Sequence, residues 1–360
     1  MKMNNHVTLA TVLKRLGEAG LRFEMFGIGG GLSVVILERG ARLLGPFESP
    51  DSESILWMNG FWNDRSAFAD AIRGGAYDMG GERFWVEPEF AFFTKEKLRF
   101  HETYIVQPSL DPANYSLEKS GEGFALSADV DCEVYEMPIT RKSFSIRKYV
   151  HAAQNPIRHI RDADRLMDGV AFGGYDIRVA LRDTSPENEM LIGPWFLAQV
   201  NPEGQAIVPF AGSLDYVDFY EPVTDEYQSV ESGCVRLKIT GDCRYKTGYR
   251  SAQTFGRAAY VNGMEDGRAY AIVRNYYNDP SQPYCAEPFE DLGNRGCSLF
   301  FYNDSGKLGG FAEMENSGIP IGGATGRSEG ESVIGEWFFV GEREKVNAIV
   351  DILLGFNPVG

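Results

Sequence analysis

The chain has 360 residues, enough to bury one large core or two of ordinary size. Its 51 acidic residues against 35 basic ones give a formal charge of −16 and a pI near 4.8, which argues against nucleic acid or an anionic membrane, because both need clustered Lys and Arg. A neutral small molecule is the easier partner.

No run approaches the ~20 apolar residues of a membrane span, and no apolar signal region follows the first seven residues. The expected location is cytoplasmic. The five cysteines (132, 234, 243, 285, 297) contain no Cys-x-x-Cys and read as reduced thiols. With 24 Phe, 17 Tyr and 41 Gly, many strands joined by tight turns are favoured over a helical bundle.

In chain order, Leu9, Val12, Leu13 and Leu16 recur at helical spacing and Gly20 supplies a stop, so 8–19 is expected to be a short amphipathic helix. Two β-prone runs, 21–26 and 32–37, flank Gly27-Ile-Gly-Gly-Gly31. The run after those glycines is β-branched, and Leu32 stands where a dinucleotide loop needs Gly, so they read as a hairpin turn. Strand-like pieces continue at 40–47 and 55–62, and a turn or two of helix is expected at 66–73. From 98 to 146 the pattern alternates in short pieces. Residues 148–170 are polar and read as an excursion or short helix. Further strands are expected at 175–181, 195–200, 206–210, 235–239, 258–261, 269–274, 297–302 and 336–340. The acidic, Tyr-rich 214–230 reads as a surface loop. Val346, Ile349, Val350, Leu353 and Leu354 make a closing amphipathic helix. No linker composition and no repeat interrupt the chain, so a single β domain over 1–360 is expected.

Strand alternation selects the candidate site. Phe311, Glu313 and Glu315 share one face, as do Arg83, Trp85 and Glu87, and Trp195, Leu197 and Gln199. Charged outward faces are the norm for antiparallel sheets, so wet glutamates are the commoner arrangement for the first set taken alone. If that face instead lines a cleft, burial and mutual repulsion raise the pKa of at least one glutamate, which suits proton transfer near neutral pH. An indole between Arg and Glu suits a sugar: the ring stacks on its C–H face and the charged groups take its hydroxyls. His151 and His159 have no metal-ligand spacing, so neither a metal nor a cofactor is expected.

Gly40-Ala-Arg-Leu-Leu-Gly-Pro-Phe47 with Leu56-Trp-Met-Asn59, then Gly80-Gly-Glu-Arg-Phe-Trp85, Trp195-Phe-Leu-Ala-Gln-Val200 and Gly310-Phe-Ala-Glu-Met-Glu315 follow one another along the chain. In this order they resemble the galactose mutarotase-like superfamily, and its uncharacterised bacterial branches more than true aldose 1-epimerases. The resemblance implies an all-β supersandwich with a carbohydrate site on its concave face. It also implies that Glu313 matches the glutamate that takes the anomeric hydroxyl proton, that Glu315 stands where a Gln would, and that Arg83 matches a sugar-contacting arginine. Trp85, Trp195, Gln199 and Tyr302 complete the expected substrate-binding set.

The family's histidine acid has no counterpart in Leu191-Ile-Gly-Pro-Trp195, nor beside Arg83. Either His101, His151, His159 or Tyr302 supplies the proton, or the protein binds sugar without epimerising it. A hydrolase or lyase using Glu313 and Glu315 as an acid/base pair ranks last, since neighbours on one strand rarely flank a scissile bond.

Overall fold

The computed structural model describes residues 6–358 except 137, 186–188, 232, 289 and 292, and leaves out the side chains of 98 and 101. Its strands in chain order are β1 (Phe23–Gly29), β2 (Leu32–Leu37), β3 (Arg42–Phe47), β4 (Glu82–Glu87), β5 (Ser116–Ser120), β6 (Gly123–Glu136), β7 (Ile139–Ala152), β8 (Ala171–Asp183), β9 (Gly193–Val200), β10 (Gln205–Pro209), β11 (Tyr216–Asp218), β12 (Gln228–Glu231), β13 (Cys234–Lys238), β14 (Tyr245–Arg250), β15 (Arg257–Gly263), β16 (Ala269–Tyr276), β17 (Cys297–Asn303), β18 (Ala312–Ser317) and β19 (Glu329–Gly341). They form a nine-stranded sheet, β1-β2-β3-β4-β9-β18-β17-β14-β11, and a ten-stranded sheet, β12-β13-β10-β15-β16-β19-β8-β7-β6-β5. The architecture is the all-β, two-sheet sandwich the sequence predicts, with helices Leu9–Glu18 and Arg343–Leu354 near its ends.

The inner faces of the two sheets make the main core. Phe84, Val86, Phe196, Ala198 and Met314 from the first sheet meet Tyr175, Ile177, Ile272 and Phe338 from the second. Strand alternation therefore turns Arg83, Trp85 and Glu87 to the other face of the nine-stranded sheet, yet β4, β9, β17 and β18 are buried at every position. That second face is covered as well. The cover comes from the segment after β4, including helix Glu89–Phe93 with Phe90, Phe92 and Phe93 buried, and from Phe219 and Tyr220 after β11.

One charged group crosses the core. Arg274 on β16 and Glu336 on β19, both from the ten-stranded sheet, pair at 2.8 Å. The same guanidinium pairs with Glu82 on β4 of the other sheet and donates to the carbonyls of Phe196 and Met314 at 3.2 and 2.9 Å. All three ionic side chains are fully buried, so the strands that carry the candidate site are pinned from beneath. Gly81, at φ 78°, leads into β4, and a Cβ there would collide with the Leu43 carbonyl.

The structure corrects several sequence expectations. Residues 148–152 complete the 14-residue β7 rather than beginning an excursion: Lys148 points inward, donating to the Ala41 carbonyl at 2.9 Å, and so breaks the apolar period. The short pieces expected from 98 to 146 hold as far as β5, after which one long hairpin, β6 and β7, takes over. Residues 55–62 form isolated bridges and a 3-10 turn instead of a strand. The expected surface loop at 214–230 contains β11 and β12.

Because removing one member of a buried ion set leaves its partners charged and unpaired, Arg274→Met is expected to cost about 3–5 kcal/mol. Urea unfolding of the variant against the parent measures it.

Candidate functional site

Cross-strand register builds the site from side chains far apart in sequence. Gln199 faces Glu313, Glu313 faces Tyr302, and Tyr302 faces Lys246, giving one row across β9, β18, β17 and β14. A second row runs Arg83, Leu197, Glu315 and Phe300, and a third pairs Trp85 with Trp195. Arg83, Trp85, Trp195, Gln199, Tyr302, Glu313 and Glu315 thus lie on one face, and none is more than 9% exposed.

Two cations organise the carboxylates. Arg83 sends Nη1 to Asp78 Oδ1 and Nη2 to Glu313 Oε1, both at 2.7 Å, with its guanidinium carbon 3.9 Å from the Trp85 ring centroid. Lys246 Nζ lies 2.9 Å from Glu315 and 3.8 Å from Glu89, and 4.5 Å from the Trp195 ring centroid. Trp195 Nε1 donates to Glu315 Oε2 at 2.8 Å, and Trp85 Nε1 donates to Asp111 Oδ2 at 2.9 Å. Gln199 Nε2 reaches Asp78 at 3.3 Å. The Tyr302 hydroxyl donates to Asp304 at 3.2 Å, and the Ser317 hydroxyl to Glu87 at 2.7 Å.

Arg83 and Lys246 therefore face the five carboxyls of Asp78, Glu87, Glu89, Glu313 and Glu315. Burial, reinforced by repulsion from Glu315 and Asp78, outweighs the attraction of Arg83 and lifts the Glu313 carboxyl to about 8. Burial likewise lifts Glu87 to about 8, against the Ser317 hydrogen bond and the nearby Lys246. For Lys246 burial works against the charge, but Glu315 and Glu89 more than compensate, and its pKa rises. The expected up-shift of a glutamate is present, and it resides on the arginine-paired one. Glu313 is 5% exposed and Glu315 1%, so the wet-glutamate arrangement is overturned.

Sequence reasoning missed Asp78, Lys246, Glu89 and Trp57. Phe311 directly precedes β18 and keeps the face expected for it, its ring 4.6 Å from Trp57 and 6.1 Å from Tyr302. Of the candidate acids, His151 lies on the ten-stranded sheet opposite Asp176, on the outward face between the buried Val150 and the chain turn. His159 is exposed in the following loop, and the side chain of His101 lies outside the described residues. Tyr302 is in the site, directly across from Glu313. As for metal ligands, among the described residues His6, Glu53 and Glu265 bring donor atoms within 4.8 Å of one another, all exposed. All five cysteines are free.

The face is closed by rings. Phe93 stacks on Trp85 at 4.7 Å, Tyr104 on Phe93 at 5.9 Å, and Tyr220 meets Tyr302 at 5.9 Å. Beneath this cover a cavity of about 10 Å³, bounded by Glu87, Glu89, Trp195 and Lys246, has room for about one water. A larger cavity of about 310 Å³ adjoins Tyr220. Its wall includes Glu221, Tyr227, Arg244 and Lys307, and the Arg244 guanidinium carbon lies 5.3 Å from the Tyr220 ring centroid.

Glu313 and Glu87 each hold a proton in the folded protein above the pH at which the unfolded chain releases it. Stability from each is full below about pH 4.5 and is lost as pH rises through about 8. The urea midpoint is therefore expected to fall over that window, each group contributing at most about 1.4 kcal/mol per pH unit. Glu87→Gln, which is neutral at every pH, is expected to flatten the slope in a midpoint-versus-pH series.

No protein-family model and no curated protein matches the chain. Among solved structures, it is similar to the 4-alpha-glucanotransferase of Thermococcus litoralis, with 10% identity and a TM-score of 0.36 over 88% of this chain and 37% of that one. It is also similar to a protein of Klebsiella pneumoniae subsp. pneumoniae described as a "putative aldose 1-epimerase", with 8% identity and a TM-score of 0.46 over 91% of this chain and 81% of that one. The chain thus spans well under half the length of the glucanotransferase.

Proposed function

We propose that the covered face of the nine-stranded sheet binds a small carbohydrate, with Glu313 as the group that exchanges a proton with the anomeric hydroxyl so that the sugar ring can open and reclose. The observation that carries this is the buried Arg83–Glu313 pair at 2.7 Å, set against the Trp85 ring. A carboxyl with pKa about 8 is mostly protonated at neutral pH but lies within about one unit of its titration, so it can both give and take a proton during an anomer exchange. Arg83 holds that carboxyl in place. Trp85 and Trp195 have rings 5.7 Å apart at 69°, and a pyranose would take the place of Phe93 on the Trp85 ring. Tyr302, across the strand from Glu313, is our candidate to move the second proton, a role that requires its hydroxyl to leave Asp304. The ring cover leaves a cavity of only about 10 Å³, so binding a sugar requires Phe93, Tyr104 or Tyr220 to be displaced.

Binding without turnover is the second reading. It is favoured by one observation: the described histidines His6, His151 and His159 all lie outside the cluster.

Polarimetry or NMR exchange on glucose, galactose and mannose separates the two readings. The expected outcome is anomer exchange faster than the spontaneous rate, falling by about 10²–10⁴-fold in Glu313→Gln while sugar affinity is retained. Affinity with no acceleration in the parent protein would establish the second reading, and neither affinity nor acceleration would end both.

A further inference from the structure

Buried polar atoms without partners point to what this face is built to hold. Trp57 is fully buried, and its Nε1 has no hydrogen-bond partner. Gln199 is fully buried, and its Oε1 is likewise unpartnered, as is Arg83 Nε. Backbone geometry puts the first two side by side. Leu56 bridges Val200, both turned into the core, and the Trp57 amide donates to the Gln199 carbonyl at 2.9 Å. The Trp57 indole packs in one cluster with Phe311 and Tyr302, which puts it on the face of the row Gln199–Glu313–Tyr302–Lys246. The indole is held there by Phe311 at 4.6 Å and by Gly309, whose φ of 131° and missing Cβ leave room for the ring: a Cβ would lie 2.7 Å from it.

We infer that Trp57 and Gln199 are ligand-contacting residues that read a hydroxyl of an uncharged sugar, an inference that rests on the carbohydrate reading of this face. An indole N–H only donates and a glutamine carbonyl only accepts. A hydroxyl does both, so a sugar hydroxyl entering between these neighbouring residues supplies an acceptor to the indole and a donor to the amide, and leaving either unmade is costly in a buried site.

Charge fixes the rest of the class. Arg83 is shared between Asp78 and Glu313, and Lys246 between Glu315 and Glu89. Neither cation is left over for a phosphate or carboxylate, and the surplus of carboxyls repels one. Sugar phosphates and uronates are excluded on this face, whatever the affinity of the wider 310 Å³ cavity beside Tyr220.

Isothermal titration of the full chain with glucose, galactose and mannose, and with glucose 6-phosphate and glucuronate, tests the inference when run on the parent, Trp57→Phe and Gln199→Met. Phenylalanine keeps an aromatic ring and removes the donor. The expected result is neutral-sugar binding by the parent, weakened about 5–10-fold in Trp57→Phe, with the sugar-free variant folded and its urea midpoint lowered only by the smaller ring. Gln199→Met, expected to weaken binding similarly, carries the test if the first variant does not fold.

Unchanged affinity in both variants, with the parent still binding, overturns the inference and leaves the carbohydrate reading standing. Unchanged affinity in a folded Trp57→Phe with weakened binding in Gln199→Met assigns the indole a structural role and overturns its part of the inference. Tighter binding of glucose 6-phosphate or glucuronate than of glucose overturns the charge argument. No binding of any sugar by the parent overturns the carbohydrate reading and this inference together.

Discussion

The guanidinium of Arg274 is the constraint on which the candidate site rests. It lies between two sheets with no exposure to water, takes a carboxylate from each, and holds two main-chain carbonyls of β9 and β18. A buried charge is costly unless every attraction is well made, so this residue tolerates little displacement of the strands around it. Those are the strands whose opposite faces carry Arg83, Trp195, Gln199, Glu313 and Glu315. Adjacent residues of β4 divide the labour: Glu82 turns down to Arg274 and Arg83 turns up to Glu313. Precision in the upper layer is inherited from rigidity in the lower one.

Above the sheet the electrostatics follow a different rule. Below it the two glutamates face Arg274 with Lys148 close by; above it acid exceeds base. Placed in water, such an excess would be screened and of little consequence. Sealed under Phe93, Tyr104 and Tyr220, it raises proton affinities, because ionising one more carboxyl in a dry, already negative space is unfavourable. The ring cover is thus part of the acid–base chemistry as well as a barrier to solvent.

Much of the architecture was legible in the sequence because it depends on local pattern. The β1–β2 hairpin around Gly29–Gly31, the two terminal helices and the alternation Arg83/Trp85/Glu87 were all readable from period and turn chemistry. That Arg83 and Glu313 touch was not readable from period, since 230 positions separate them; only the resemblance put them on one face. Lys246 escaped notice because Tyr245–Arg250 has no distinctive alternation, and its partners come from β18 and from the helix after β4. Asp78 and Trp57 lie outside any strand, where no period applies, and their positions are set by the backbone bridges of 56–58 with β9 and Gly80. Lys148 misled for the opposite reason: an inward lysine inside β7 looks like the end of a strand.

Of the chain's five indoles, three, at 57, 85 and 195, share the covered face, and each is placed differently. One is fully shielded beside Phe311, one lies beneath a guanidinium, and one sits 4.5 Å from an ammonium. Charged and proton-donating neighbours quench indole emission, so the protein carries its own optical reporter. Occupancy of the face, protonation of its carboxyls and displacement of Phe93 all alter the surroundings of these same three chromophores.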